Sequence, residues 1–292
     1  MSVEPTHPYT IIDVFTDTPL AGNQLAVFTE GEAVPSRLML AAARELHLSE
    51  TIFMLPGDEE ADASLRIFTP HAELPFAGHP VLGAAFMVGD RENLETVRLR
   101  TSVGVVPVTL TREHGEIVYG EMEQPLPTVR VFEREAELLE ALRVSRPVLP
   151  IEVYRNGPTH VMVGFADANQ LAAAEPDMAG LTRLGPLGID CFAPFDPDAT
   201  HGDCVRVKCR VFCPGMGIPE DPATGSAAGP LALHLVRHGW CTPGETLSIV
   251  QGVEMQRPSE LTARVEGTGE HPTRILVGGR AVRVAQGHFR LQ

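Results

Sequence analysis

Positive charge is scarce in this chain: 23 lysines and arginines stand against 38 aspartates and glutamates over 292 residues, a net charge of −15. That balance argues against a nucleic-acid partner, because phosphate backbones are held chiefly by cations that release counterions. It also means that an anionic ligand has to be met by local dipoles and not by the overall field. Long apolar runs are missing as well. No window approaches the roughly eighteen uninterrupted apolar residues of a membrane-spanning helix, and the opening MSVEPTHPYT lacks the basic start and apolar stretch of a secretory signal. The expectation is a cytoplasmic protein with no membrane partner.

Paired cysteines are absent too. The 5 cysteines are odd in number and none falls in a C-x-x-C pair, which fits reduced thiols better than a disulfide framework. Cys204, Cys209 and Cys213 lie in CVRVKCRVFC, where strand alternation turns Cys204 away from the other two and speaks against a zinc site. His234 and His238 stand at helical i, i+4 spacing, but HLVRH lacks the glutamate of the H-E-x-x-H metalloprotease pattern. There is neither a P-loop nor a G-x-G-x-x-G turn, and TGSAAG has a threonine where the serine-hydrolase elbow needs its first glycine. Nothing calls for a nucleotide, a flavin or a metal, so the expectation is no cofactor and no metal.

What the sequence does contain is an internal echo. ELPFAGHPVLGAA at 73–85 and EDPATGSAAGPLA at 220–232 share a frame in which Glu73, Pro75 and Gly78 match Glu220, Pro222 and Gly225, after which His79 matches Ser226. Upstream, Arg66-Ile-Phe68-Thr-Pro70 is echoed by Arg210-Val-Phe212-Cys-Pro214, and the paired apolar runs YTIIDVF and NQLAVF by LPIEVY and THVMVGF, each pair a hairpin signal. The spacing is about half the chain, too sparse for a solenoid. Two similar lobes facing one another across a cleft are the expected arrangement: a first over 1–125, with the C-terminal strand 281–292 as its candidate completion, and a second over 126–280.

Between these landmarks SRLMLAAARELHL and EREAELLEALR read as helices, the first behind a candidate cap at Ser36, while short strands fill 51–55, 64–68, 97–101, 103–111 and 116–122. QPLPTVR, with two prolines, reads as a linker. Many short strands, few helices and no regular alternation predict an α+β fold.

Each glycine turn opens an apolar helix, whose first-turn N–H groups and partial positive charge suit a small carboxylate. Asp221 has no acidic counterpart in the first copy, where Leu74 stands; a surface-turn aspartate before a proline is the alternative reading.

DVFTDTPLAGNQLAVF, HLSETIF, RIFTPHAELPFAGHPVLG, IEVYRNGPTHVMVG, EDPATGSAAGPLALHLVRH and IVQGVEMQRPS together resemble the PhzF family, the phenazine-biosynthesis isomerases that share the diaminopimelate epimerase fold. The likeness runs from about residue 9 to 267. It implies two lobes related by a pseudo-two-fold, each a curled mixed sheet around a central helix, a homodimer, and cofactor-free isomerisation of trans-2,3-dihydro-3-hydroxyanthranilate. It places the catalytic glutamate of L-S-E on Glu50, the histidine of G-H-P on His79, and the aspartate and serine of E-D-x-A-T-G-S on Asp221 and Ser226. Gly78 and Gly225, with Asn23 of the A-G-N motif, fall among the substrate-binding positions. Moving a ring double bond needs one proton removed and one returned, work that a single carboxylate on one face can do. Relatives on this fold that racemise amino acids carry a cysteine at each glycine turn; residues 73–79 and 220–226 contain none. Gln24 and Pro222 depart from the usual family residues, proline and alanine, which leaves isomerisation or epimerisation of another small cyclic or amino-acid carboxylate as the alternative. A non-catalytic carboxylate-binding module is a further one.

Overall fold

The computed structural model describes residues 6–195 and 206–291; Cys204 lies outside them. The chain divides into two units, Met1–Met122 with Gly278–Gln292, and Glu123–Val277.

In the first unit β1 (Thr6–Val14) and β2 (Asn23–Phe28) form an antiparallel hairpin. The chain then crosses over through helix α1 (Ser36–Leu46) to β3 (Glu50–Pro56), which lies parallel to β2. β4 (Ala63–Phe68) returns antiparallel to β3 and is followed by the short β5 (Glu73–Leu74). A second crossover, helix α2 (Gly78–Glu92), leads to β6 (Thr96–Thr101), parallel to β4, and an antiparallel meander through β7 (Gly104–Glu113) and β8 (Glu116–Gln124). Parallel neighbours demand such crossovers, and the helices supply them.

The second unit repeats this order. β9 (Thr128–Val131) and helix α3 (Glu135–Leu142) precede the antiparallel hairpin of β10 (Glu152–Arg155) and β11 (Thr159–Gly164). A crossover through helices α4 (Ala168–Ala172) and α5 (Met178–Arg183) reaches β12 (Gly188–Pro194), parallel to β11. β13 (Arg206–Cys213) is antiparallel to β12, with β14 (Ile218–Asp221) beside it. Helix α6 (Gly225–Arg237) then crosses to β15 (Thr246–Gln251), parallel to β13 and paired with β16 (Ser259–Gly267), before β17 (Pro272–Gly279). The last strand, β18 (Ala281–Arg290), pairs antiparallel with β1 and belongs to the first unit. β9 pairs antiparallel with β10 in the corresponding place of the second. The duplication read from the sequence is therefore a duplication of sheet topology.

Residues 78–86 of α2 and 225–235 of α6 are all buried, and these stretches are correspondingly almost wholly apolar, while the last turn of α2 carries the exposed Asp90, Arg91 and Glu92. Gly83 lets α2 approach its sheet, since a Cβ there would come within 2.7 Å of Leu25 and 3.0 Å of Val14. On the outer face of the first unit α1 covers Phe28, Phe53 and Phe68, with Phe28 and Phe53 stacked at 4.7 Å. In the second, α3, α4 and α5 cover Val153, Val161, Phe165 and Ile189. Mixed sheets with segregated helices are the α+β arrangement expected.

Two local expectations are corrected. Ser36 does not cap α1: Pro35 holds the cap position, and the Ser36 hydroxyl accepts from the Arg66 guanidinium at 2.9 Å. The linker 124–130 is not free of sheet, because its prolines, residues 125 and 127, precede the ladder and leave Thr128–Val131 able to pair with β10. The shared frame also gains a physical meaning. Arg66 clamps Glu73 through two hydrogen bonds of 2.7 and 2.8 Å, and Arg210 clamps Glu220 through two of 2.9 Å. In both copies the retained glutamate fastens the approach to the helix.

Candidate active site

A chain entering a helix leaves its first N–H groups without intrahelical acceptors. In both units the helix begins at the glycine of the shared frame, and at neither α2 nor α6 does the cap residue's side chain bond those amides. The candidate residues gather around these helix starts, each group within its own unit.

In the first unit Asn23 opens β2 and Glu50 opens the adjacent parallel β3, while His79 is the second residue of α2. All are buried, Glu50 at 9% exposure and His79 at 2%. His79 Nε2 lies 3.4 Å from Glu50 Oε2, and His79 Nδ1 lies 3.3 Å from the Asn23 side-chain nitrogen. Burial lowers the His79 pKa to about 3, against an opposing hydrogen bond to the Gln24 backbone. The ring is therefore neutral near pH 7 and carries a single N–H. At 3.4 Å the ring and the carboxylate are close neighbours, but His79 Nε2 makes no hydrogen bond; a neutral imidazole therefore stands beside the Glu50 carboxylate without adding a positive charge to it.

In the second unit Asp221 ends β14 and Ser226 is the second residue of α6. Asp221 is 7% exposed, so the surface-turn reading does not hold. Thr224 donates its hydroxyl to Asp221 Oδ2 at 2.6 Å; Gln251 donates its amide to the Asp221 carbonyl at 2.8 Å and accepts from the Thr224 N–H at 3.1 Å. Gly252, at φ +75, lets the chain turn directly behind Gln251, where a Cβ would come within 2.6 Å of the Pro222 carbonyl. These contacts hold Asp221 in one orientation.

Ser226 sits in a second network. Its hydroxyl lies 3.1 Å from His160 Nε2, and His160 Nδ1 lies 3.0 Å from Asp190 Oδ2. Pro230 stands inside α6 and has no N–H to give the carbonyl four residues back, that of Ser226. Asn156 supplies the missing donor at 2.9 Å, and Gln124 donates to the Gly225 carbonyl at 2.7 Å. A proline within an apolar helix is a readable signal that a side-chain amide is needed nearby. His160, Asp190 and Gln251 carried no such signal, since they come from strands distant in sequence, whereas Thr224 lies inside the E-D-x-A-T-G-S stretch between Asp221 and Ser226.

The His234 and His238 pair also acquires a neighbour the sequence did not suggest. Glu152 Oε2 accepts from Tyr154 at 2.7 Å and lies 3.2 Å from His234 Nδ1 and 3.1 Å from His238 Nε2, while Arg237 reaches Oε1 at 3.3 Å. Three potential ligand atoms lie within 4.8 Å of one another, but the carboxylate is saturated by donors and the Arg237 cation stands where a metal ion would be repelled. Cys209 and Cys213 are buried and in no disulfide, and burial pushes the Cys209 thiol well above its ordinary pKa.

A family model described as phenazine biosynthesis-like protein, PhzC-PhzF, matches residues 12–287. The chain is 44% identical over 281 residues to trans-2,3-dihydro-3-hydroxyanthranilate isomerase of Pseudomonas fluorescens, covering 96% of this chain and 98% of that protein. It is also 44% identical over 285 residues to the protein of that name from Pseudomonas aeruginosa, covering 98% and 100%. A crystal structure of a PhzF-family phenazine biosynthesis protein from Bacillus anthracis superimposes with a TM-score of 0.83 over 98% of this chain and 100% of that one, at 23% identity, a likeness of fold. The chain belongs to the phenazine biosynthesis-like, or PhzC-PhzF, family.

Proposed function

We propose that this protein is an isomerase of trans-2,3-dihydro-3-hydroxyanthranilate that works without a cofactor, with Glu50 as the single proton carrier. The observation that carries the reading is the buried Glu50–His79 pair at 3.4 Å, taken with 44% identity to relatives bearing that activity in their names. Glu50 removes a carbon-bound proton, the electron pair of that C–H bond becomes part of the shifted double bond, and the same carboxyl returns a proton to the far carbon of the allylic system. His79, held beside Asn23, keeps the carboxyl oriented. Asp221, fixed by Thr224, is the group assigned to the substrate amine or hydroxyl, and Ser226 with the Gly225 amide is assigned to its carboxylate. The glycine turns carry no thiol, so the chemistry runs through one carboxylate and not through two opposed cysteines.

Incubating the pure protein with trans-2,3-dihydro-3-hydroxyanthranilate in deuterated water tests this. Loss of substrate absorbance is expected, with deuterium entering the product to the extent that the proton on Glu50 exchanges with solvent before its return; absence of turnover overturns the assignment. Asp221→Ala should raise KM and lower kcat together, and unchanged constants would remove Asp221 from the site. The same reading places the enzyme in the cytoplasm as a homodimer. Light scattering checks the stoichiometry, and a monomeric mass under assay conditions would contradict it. Among the described residues no helix is long and apolar enough to cross a membrane.

A further inference from the structure

Ser226, His160 and Asp190 are buried to 6%, 1% and 3% exposure and form a linear relay, with spacings of 3.1 Å from hydroxyl to Nε2 and 3.0 Å from Nδ1 to carboxylate. We propose that His160 and Asp190 are positioning residues that fix the polarity of Ser226, so that its O–H points outward as a donor and the head of α6 selects a carboxylate. The proposal rests on the functional reading above, in which Ser226 contacts substrate.

The number of protons on the Asp190–His160 pair sets the direction of the bond to Ser226. Asp190 Oδ1 is buried without a hydrogen-bond partner, so a net negative charge on the pair would be poorly compensated there. The pair that carries no net charge holds two protons, and it can do so in two ways. As carboxylate and imidazolium, Nδ1–H donates to Asp190 Oδ2 and Nε2–H donates to Ser226. As carboxylic acid and imidazole, the Asp190 O–H donates to Nδ1, and Nε2 again carries the hydrogen that goes to Ser226. In both forms the Ser226 oxygen is an acceptor toward His160, and its own hydrogen remains for a ligand.

Beside the N–H groups of the first turn, that hydrogen completes a set made only of donors. A carboxylate satisfies such a set, whereas an ammonium group brings more donors and finds no acceptor. Had Nε2 been bare, the serine proton would turn inward and the exposed lone pairs would oppose a carboxylate. Asn156, which holds the Ser226 carbonyl at 2.9 Å, keeps the backbone of this residue from moving to compensate.

The test uses two unreactive probes, 3-hydroxyanthranilate and 2-aminophenol, which differ by the carboxylate alone. His160→Leu should weaken 3-hydroxyanthranilate binding by about tenfold or more, the loss expected when a hydrogen bond to a charged group is misdirected, and leave 2-aminophenol unchanged. His160→Gln, whose amide nitrogen replaces Nε2 as donor, should restore binding to within about threefold of wild type. In turnover the His160→Leu loss should fall in KM, with kcat little altered. Combining His160→Leu with Ser226→Ala should weaken binding no further than either change alone. Equal loss for both probes, no rescue by glutamine, or additive effects would overturn the proposal. Should His160→Leu fail to fold, nitrogen NMR of the wild-type protein with labelled histidine decides: His160 Nε2 must show the shift of a protonated nitrogen, and a bare-nitrogen shift refutes the claim. If wild-type protein binds neither probe and turns over no substrate, the functional reading falls, while the NMR result still decides the polarity of the relay.

Discussion

Helix α6 contains a proline that removes a donor at a buried position, and the energetic cost of that choice can be measured. Pro230 leaves the Ser226 carbonyl without its helical partner, and Asn156 fills the gap at 2.9 Å. Asn156→Leu keeps the volume and deletes the donor, so a buried carbonyl loses its hydrogen bond at a cost of about 1–3 kcal/mol. For a unit of this size each kcal/mol lowers the unfolding midpoint by about 2–4 °C. Pro230→Ala restores the backbone N–H and relieves the helix of a proline, set against about 0.4–1 kcal/mol of extra unfolded-state entropy. In the double variant the new N–H reaches the carbonyl that leucine abandoned. Urea unfolding of the four proteins should therefore give a coupling energy of about 1–2 kcal/mol, with the double variant more stable than Asn156→Leu alone. A double variant as unstable as the sum of its parts would show that Asn156 is not substituting for the missing helical donor.

The two Arg–Glu clamps have the same geometry and different burial: the side chains of Arg210 and Glu220 are 10% and 15% exposed, against 28% and 43% for Arg66 and Glu73. Glu220→Gln should cost about 3–5 kcal/mol, because it strands a buried guanidinium, whereas Glu73→Gln should cost about 1 kcal/mol or less; equal losses in urea midpoints would contradict this. Burial raises the Glu152 pKa, but hydrogen bonds from His234, Tyr154, Arg237 and His238 outweigh it and hold the carboxyl well below the usual range. A depressed folded pKa adds stability above the unfolded value and loses it as pH falls toward the folded one. Wild type should thus lose stability below about pH 4.5 more steeply than Glu152→Gln; parallel curves would refute it. Burial lowers the His79 pKa to about 3, so its ring NMR signals should not titrate between pH 8 and pH 5, and a midpoint near 6.5 would contradict the neutral assignment.

Much of this was legible in the sequence because local chemistry dictated it. The Glu-x-Pro-x-x-Gly frame located both central helices, and alternation located most strands, since both patterns depend on neighbours along the chain. What escaped depended on neighbours across it. Thr128–Val131 became a strand because β10 offered a free edge, and Ser36 failed to cap because Arg66 claimed its hydroxyl. Asp221 resembled a turn residue until Thr224 and Gln251 enclosed it. His160 and Asp190 belong to different strands, paired through the parallel register of β11 and β12, which sequence spacing cannot express. Glu152 likewise meets His234 only because β10 passes the C-terminal end of α6.

The central claim is that one buried carboxylate moves the proton. Glu50→Gln keeps the shape of the side chain, so the protein should bind 3-hydroxyanthranilate within about threefold of wild type. Its kcat on trans-2,3-dihydro-3-hydroxyanthranilate should fall by about a hundredfold to ten-thousandfold, the range that general acid–base catalysis supplies. A Glu50→Gln enzyme that binds the probe and isomerises the substrate at the wild-type rate would contradict the account.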